Sequence, residues 1–212
     1  MKRRLSVFFT VILSAALLAG CGSKNIEGDS GSSASTGSSS SSTSEEGSNM
    51  HHVEIKVKDY GTIKVELDED AVPITVENFM KLAGEGFYDG LTFHRIIDGF
   101  MIQGGDPLGN GTGGSDDSIK GEFSSNGVEN DISHVRGTIS MARSQVKDSA
   151  SSQFFIVHKD SPHLDGDYAG FGSVTEGMEI VDQICKDVQV EDSNGTVSAE
   201  NQPVIETITV ID

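Results

Sequence analysis

Apolar and polar residues alternate in two neighbouring stretches, Val53, Ile55, Val57 and then Ile63, Val65, Leu67, with Asp59-Tyr60-Gly61 between them. A period of two puts one face in a core and the other in water, so the pair predicts a β-hairpin. The period then changes. After Pro73-Ile74-Thr75, apolar side chains recur at Val76, Phe79, Met80 and Ala83, and Gly84 and Gly86 follow. That spacing predicts a helix with Thr75 as its N-cap. Short β-like runs come next between glycine-rich turns, at 91–97, 100–103, 137–142, 154–157 and 171–175. A second helix is predicted over 176–186 and a last strand over 204–210. Many short strands with two separate helices predict a mainly β fold, a closed or nearly closed antiparallel barrel of about eight strands capped by two α-helices.

The first 49 positions follow none of these patterns. Met1-Lys2-Arg3-Arg4 precedes an apolar run over 5–20. A basic start, a short apolar run and a small-residue end read as an export signal, too short for the roughly 20 residues of a membrane span. The segment Leu18-Ala19-Gly20-Cys21 resembles the bacterial lipobox. That resemblance implies removal of 1–20, lipidation of Cys21, and a protein held at the outer face of the bacterial cell membrane. Residues 21–49 are rich in Ser and Gly, with serine at every position from 38 to 42. Such a stretch has too little to bury to offset the entropy of ordering, so a flexible tether is expected. The folded domain is expected over 50–212, as a monomer that meets the membrane only through the lipid.

Charge and cysteine content narrow the function. The formal net charge is −18, which excludes the clustered Lys and Arg that phosphate backbones require, so no nucleic acid partner is expected. Of the two cysteines, Cys21 is assigned to the lipid. Cys185 is left unpaired in a helically spaced run, where a buried structural thiol is expected.

The decisive stretch runs Tyr88-Asp89-Gly90-Leu91-Thr92-Phe93-His94-Arg95-Ile96-Ile97-Asp98-Gly99-Phe100-Met101-Ile102-Gln103-Gly104-Gly105. It resembles the cyclophilin signature. Ser140-Met141-Ala142-Arg143 with Ser151-Ser152-Gln153-Phe154-Phe155-Ile156 resembles the family's second active-site block, and His163-Leu164-Asp165-Gly166-Asp167-Tyr168-Ala169-Gly170-Phe171-Gly172 the third. The three blocks occur in order, and the resemblance covers essentially all of 50–212. The resemblance implies a peptidyl-prolyl cis/trans isomerase that acts on proline-containing polypeptide segments without a cofactor. It implies Arg95 as the catalytic residue. It places Phe100, Met101, Phe155 and Leu164 around the proline ring, has Gln103 orient Arg95 and the substrate backbone, and gives Gln153 and Tyr168 to the substrate site. Ala142 and Arg143 would bind the peptide through main-chain groups.

The residue types suit that chemistry. Rotation about an X-Pro bond must break amide resonance, with a barrier of about 20 kcal/mol. No bond is made or cleaved, so a nucleophile or metal is not needed. A fixed cation that donates to the proline nitrogen favours the twisted state, because the nitrogen's lone pair is free only there. Arginine offers a permanent charge on a rigid fork. One charge-assisted hydrogen bond is worth about 1.5–3 kcal/mol, or about 10- to 150-fold in rate. A dry, shaped pocket must supply the remainder. On a strand, Phe100 and Met101 point to opposite faces, so a twist or bulge is expected to bring both to the pocket. His94 is expected to be packed or hydrogen-bonded, since rotation transfers no proton.

Some positions depart from the family or suggest other chemistry. His163 stands where the best-known eukaryotic members carry a tryptophan that contacts cyclosporin, which implies weak inhibitor sensitivity. Tyr168 stands where many carry a histidine. Residues 121–135 are expected to form an extra or altered loop. The glycine-rich run at 109–114 lacks the Gly-Lys-Ser/Thr ending of a phosphate cradle and is expected as a surface loop beside the groove. His51-His52 and His158/His163 lack metal-motif spacing, so no metal is expected. The rival readings are a non-catalytic module that binds Pro-containing peptides and a holdase chaperone.

Overall fold

A computed structural model describes residues 49–212. The expected signal, Cys21 and the tether lie outside them. Eight strands form one antiparallel sheet: β1 Met50–Val57, β2 Gly61–Asp68, β3 Phe93–Ile97, β4 Met101–Gly104, β5 Thr138–Met141, β6 Phe154–Val157, β7 Gly170–Glu176 and β8 Ile205–Val210. Their spatial order is β3-β4-β6-β5-β7-β2-β1-β8. The predicted hairpin pairs Val53 with Val65 and Ile55 with Ile63, which stacks the alternating apolar faces. The sheet curls until its outer strands meet. There the Phe93 N–H donates to Pro203 O at 2.9 Å and the Ile205 N–H to Leu91 O at 2.7 Å, beside a bridge between Thr92 and Val204. The barrel is thus sealed by an irregular seam rather than a full ladder.

Helix α1 spans Pro73–Gly84 and α2 spans Met178–Asp187. Phe79 of α1 enters the barrel core, with its ring centroid 5.2 Å from that of Tyr88, 5.4 Å from Phe154 and 5.1 Å from Phe171. The N-cap expectation for Thr75 is overturned. The helix begins earlier, with Pro73 in its first turn, where a missing N–H costs nothing. Its free N–H groups find a distant acceptor instead. The buried carboxylate of Glu122 accepts from Ile74 N at 3.1 Å, from Thr75 N at 2.7 Å and from Thr75 Oγ1 at 2.7 Å. A carboxylate suits the positive end of a helix. Glu122 comes from the 121–135 segment, which carries one short 3-10 turn over Ser124–Asn126 and no strand. Cys185 is buried on α2, as expected, and burial pushes its thiol up to about 12.

The strands that matter most separate two apolar groups. Phe93, Ile96, Ile102, Phe154 and Ile156 point into the barrel core. Met101, Phe155 and Val157 point outward, where they join Leu164, with Ile97, Phe100, Ala142 and Tyr168 packed against them. The smaller group is the floor of the candidate site.

Candidate active site

Arg95 reaches that outer face because β3 breaks register. Phe93 pairs with Gly104 but Arg95 with Gln103, so His94 is an extra residue on β3. Strict alternation would send Phe93 and Arg95 to the same side. The bulge keeps Phe93 and Ile96 inside and turns Arg95 out, which is how bulges re-aim side chains. His94 is packed into the wall with neither ring nitrogen bonded to any described residue. Burial, with some help from Arg95 and against Asp106, holds its pKa below the ordinary value. The ring is therefore a neutral wedge.

The Arg95 guanidinium is held from two sides. Its Nε donates to Asn194 O at 2.8 Å and its Nη1 to Gln103 Oε1 at 3.1 Å. Gln103 Nε2 donates to Gln153 Oε1 at 2.9 Å, and Gln153 Nε2 to Gly113 O at 2.8 Å. The relay fixes the fork and leaves Nη2 without a partner among the described residues. Partial burial pulls the Arg95 pKa down, opposed by Tyr168 and Asp192, but a guanidinium stays charged in a protein.

Beside this group lies an open pocket of about 770 Å³. Met101, Phe155 and Leu164 make its apolar floor, with Phe100 and Tyr168 at the sides. The problem of Phe100 and Met101 is resolved without a bulge between them. The strand begins at Met101, and Phe100 belongs to the preceding turn, where its N–H donates to Ile97 O at 3.0 Å. Phe155 is backed by His134, stacked with ring centroids 6.0 Å apart. His134 is pinned by Asp165 at 2.9 Å and Ser140 at 2.9 Å. Burial lowers its pKa despite Asp165.

Ala142 and Arg143 line the same pocket. Ala142 gives its N–H to Gln153 O at 2.9 Å, and no donor among the described residues reaches its carbonyl. The Arg143 side chain is committed elsewhere. It lies over the rings of Phe123 and Tyr168 at 4.9 Å and 4.6 Å, and donates to Asp167 O and Ser144 O. Gln153 lies in an adjoining smaller recess of about 240 Å³. His163 stands at the rim, its ring centroid 5.5 Å from that of Phe100.

Sequence reasoning missed one wall. Residues Glu191, Asn194, Thr196 and Gln202 line the pocket from a segment between α2 and β8. The signal was present in Asp192-Ser193-Asn194-Gly195. Asp192 accepts from Asn194 N at 2.9 Å, Thr196 N at 3.1 Å and Thr196 Oγ1 at 3.1 Å. Gly195 takes a positive φ of 80°, and a Cβ there would come 2.3 Å from Ile96 O. This turn is what presents the Asn194 carbonyl to Arg95. The opposite edge is the glycine-rich loop, where Gly109 and Gly111 line the pocket. Asp106 organises it by accepting from Leu108, Asn110 and Gly111 N–H groups at 2.8, 3.1 and 2.6 Å. Burial pushes its pKa up, but those amides more than offset it and hold it below the carboxylate range.

Comparisons with known proteins agree with this geometry. The sequence model described as "Cyclophilin type peptidyl-prolyl cis-trans isomerase/CLD" matches residues 52–210. Peptidyl-prolyl cis-trans isomerase B of Bacillus subtilis (strain 168) is 49% identical over 140 residues, covering 64% of this chain and 94% of that protein. A probable peptidyl-prolyl cis-trans isomerase of Brucella suis biovar 1 (strain 1330) is 42% identical over 166 residues, covering 73% of this chain and 80% of that protein. Among solved structures, a Cryptosporidium parvum cyclophilin type peptidyl-prolyl cis-trans isomerase in the presence of the dipeptide Ala-Pro superimposes with a TM-score of 0.67 at 31% identity, covering 76% of this chain and 99% of that one. With the barrel, the outward arginine and the apolar floor in place, the chain belongs to the cyclophilin family of peptidyl-prolyl cis-trans isomerases.

Proposed function

We propose that this isomerase works outside the cell membrane on prolines of exported or surface polypeptides, with Arg95 as the catalytic group. The observation that carries the role of Arg95 is the free Nη2 of a guanidinium held by Asn194 and Gln103 beside the Met101–Phe155–Leu164 floor. A proline ring on that floor presents its nitrogen to a donor that need not reorganise. As the amide twists, the nitrogen pyramidalises and its lone pair takes up the donor. The bond forms only in the twisted state, so it lowers the barrier rather than tightening ground-state binding. The Ala142 carbonyl receives an N–H of the peptide backbone and holds one side of the bond while the other rotates.

The address rests on 1–49. A basic-apolar start and the lipobox-like Leu18-Ala19-Gly20-Cys21 support export and lipidation, and the Ser/Gly-rich stretch supports a tether. X-Pro isomerisation is slow enough to limit folding, and an anchored enzyme would meet chains as they emerge. Replacing Cys21 with Ala is expected to release the protein from the membrane fraction, and mass measurement of the mature N-terminus should show the lipid.

A protease-coupled assay on an X-Pro peptide tests the catalytic assignment. Arg95→Ala should lower kcat/KM at least about tenfold, from the loss of one charge-assisted hydrogen bond. Equal rates for the two proteins would remove Arg95 from the chemistry and leave a peptide-binding site.

A further inference from the structure

Three side chains that bond rotation does not use converge beneath the turn between β3 and β4. They are Asp98 in that turn, His158 just after β6 and Cys185 in α2. One carboxylate oxygen, one imidazole nitrogen and the sulfur all lie within 4.8 Å of one another. The hydrogen bonds around His158 decide what its ring offers. Its Nδ1 accepts from Gly99 N at 2.9 Å, and its Nε2 lies 2.9 Å from Asp182 Oδ1. The proton is therefore on Nε2, donated to Asp182, and Nδ1 carries the lone pair. Asp98 Oδ1 lies 3.4 Å from the same nitrogen. Two acceptors confront each other with no proton to share.

A cation between them turns this repulsion into ligation. Zinc bonds of about 2.0–2.1 Å to nitrogen and oxygen give a tetrahedral edge of about 3.3–3.4 Å, which matches the observed separation. The buried thiol, within 4.8 Å of both, supplies the third donor by closing toward the edge of about 3.6 Å that a Zn–S bond of about 2.3 Å sets. Asp182 stands behind the ring as the carboxylate that metal-bound histidines commonly use for orientation, and Arg136 holds it in turn at 2.8 Å. A thiolate, an imidazole and a carboxylate suit zinc(II) far better than magnesium or calcium, which favour all-oxygen sets.

We propose that Asp98, His158 and Cys185 form a zinc(II) site, with Asp182 orienting the imidazole and water as the fourth ligand. Binding exchanges a proton for the metal. The Cys185 S–H bond breaks, its proton goes to solvent and the thiolate takes up the ion, with no electron transferred. The Gly99 N–H loses its acceptor, and because the turn is exposed, water replaces it. The occupied site joins the β3–β4 turn to α2. Phe100 follows Gly99 directly, and its carbonyl already accepts from His158 N at 2.8 Å, so the metal steadies one side of the peptide pocket.

Cobalt(II) and zinc(II) titrations of the full chain, in reducing and chelator-free buffer, test the site. One equivalent of Co2+ should give a thiolate-to-metal charge-transfer band with tetrahedral visible bands, displaced by Zn2+. Because Cys21 is the other cysteine, Cys185→Ala is the decisive variant and should abolish the band. Asp182→Asn should weaken Zn2+ binding by about 10- to 100-fold. Asp98→Asn should also weaken it, and Asp98 is exposed, so that loss is not a folding defect. Zn2+ should raise the melting temperature of the parent chain but not of Cys185→Ala. A chain whose histidines at 51 and 52 are changed to Gln should bind as the parent does. Absence of a charge-transfer band, or Zn2+ affinity unchanged in Cys185→Ala, would overturn the assignment.

Discussion

Once the bulge at His94 has turned Arg95 outward, small polar groups decide where its guanidinium points. The Gln103–Gln153 relay and the Asn194 carbonyl each take one side of the fork. Gln103→Ala removes one support and leaves the apolar floor intact. The bond lost is donated by a guanidinium. At about 1.5–3 kcal/mol for a charge-assisted hydrogen bond, kcat/KM should fall about tenfold or more, with the melting temperature little changed. Gly195 is the sharper case at this scale. An alanine there meets Ile96 O in a conformation that L-residues avoid. Gly195→Ala should therefore displace the Asn194 carbonyl and lower kcat/KM, whereas Ser193→Ala in the same turn should not. Comparing the two variants on one X-Pro peptide checks this. The resemblance implied the support from Gln103, eight residues away, whereas the Gln153 and Asn194 links join residues far apart in the chain and were not legible as contacts. Asp192-Ser193-Asn194-Gly195 shows a turn, and only the fold shows what the turn faces.

Helix α1 illustrates how an element can be legible while its ends are not. The recurrence of Val76, Phe79 and Ala83 identified it, because a helix must bury one face. Thr75 was a reasonable cap by type, yet Glu122 caps the helix from 47 residues away. Glu122→Ala should leave the buried N–H and hydroxyl of Thr75, and the part-buried N–H of Ile74, short of an acceptor. At about 1–3 kcal/mol, and about 2–4 °C of melting temperature per kcal/mol for a domain of this size, the loss is several degrees. Calorimetry should show it, with isomerase activity retained below the new transition. Strand β3 makes a related point. Its run from Leu91 to Ile97 read as a strand, and the bulge at His94 was invisible because no residue type announces one. Outward exposure of Arg95 came from the family resemblance, whereas alternation alone would have put it on the side of Phe93. The metal-like cluster was hidden for the same reason as Glu122: Asp98, His158 and Cys185 have no motif spacing, and only the packing of α2 on the β3–β4 turn assembles them.

At the scale of the whole molecule, two buried histidines shape the response to acid. His94 and His134 both have pKa values held below the ordinary histidine value by burial. Unfolding returns each to about 6.5, so below that pH the unfolded chain binds protons that the folded chain refuses. Stability then falls as pH drops through about 6.5, by up to about 1.4 kcal/mol per pH unit for each fully excluded proton. His52 runs the other way, since Asp212 raises it, but that pair is exposed and screened. Melting temperature should therefore decrease between about pH 7.5 and 5.5, and His134→Gln should flatten the curve; a rise on acidification would refute the assignment. The same sheet also has two inhabited sides, barrel core within and substrate floor without. Phe154 and Phe155 are adjacent letters, yet one locks onto Phe79 and Tyr88 while the other awaits a guest. Selection can therefore rewrite what this enzyme grips without renegotiating how it folds, and a single-residue step along β6 separates a lesion of the scaffold from a change of taste.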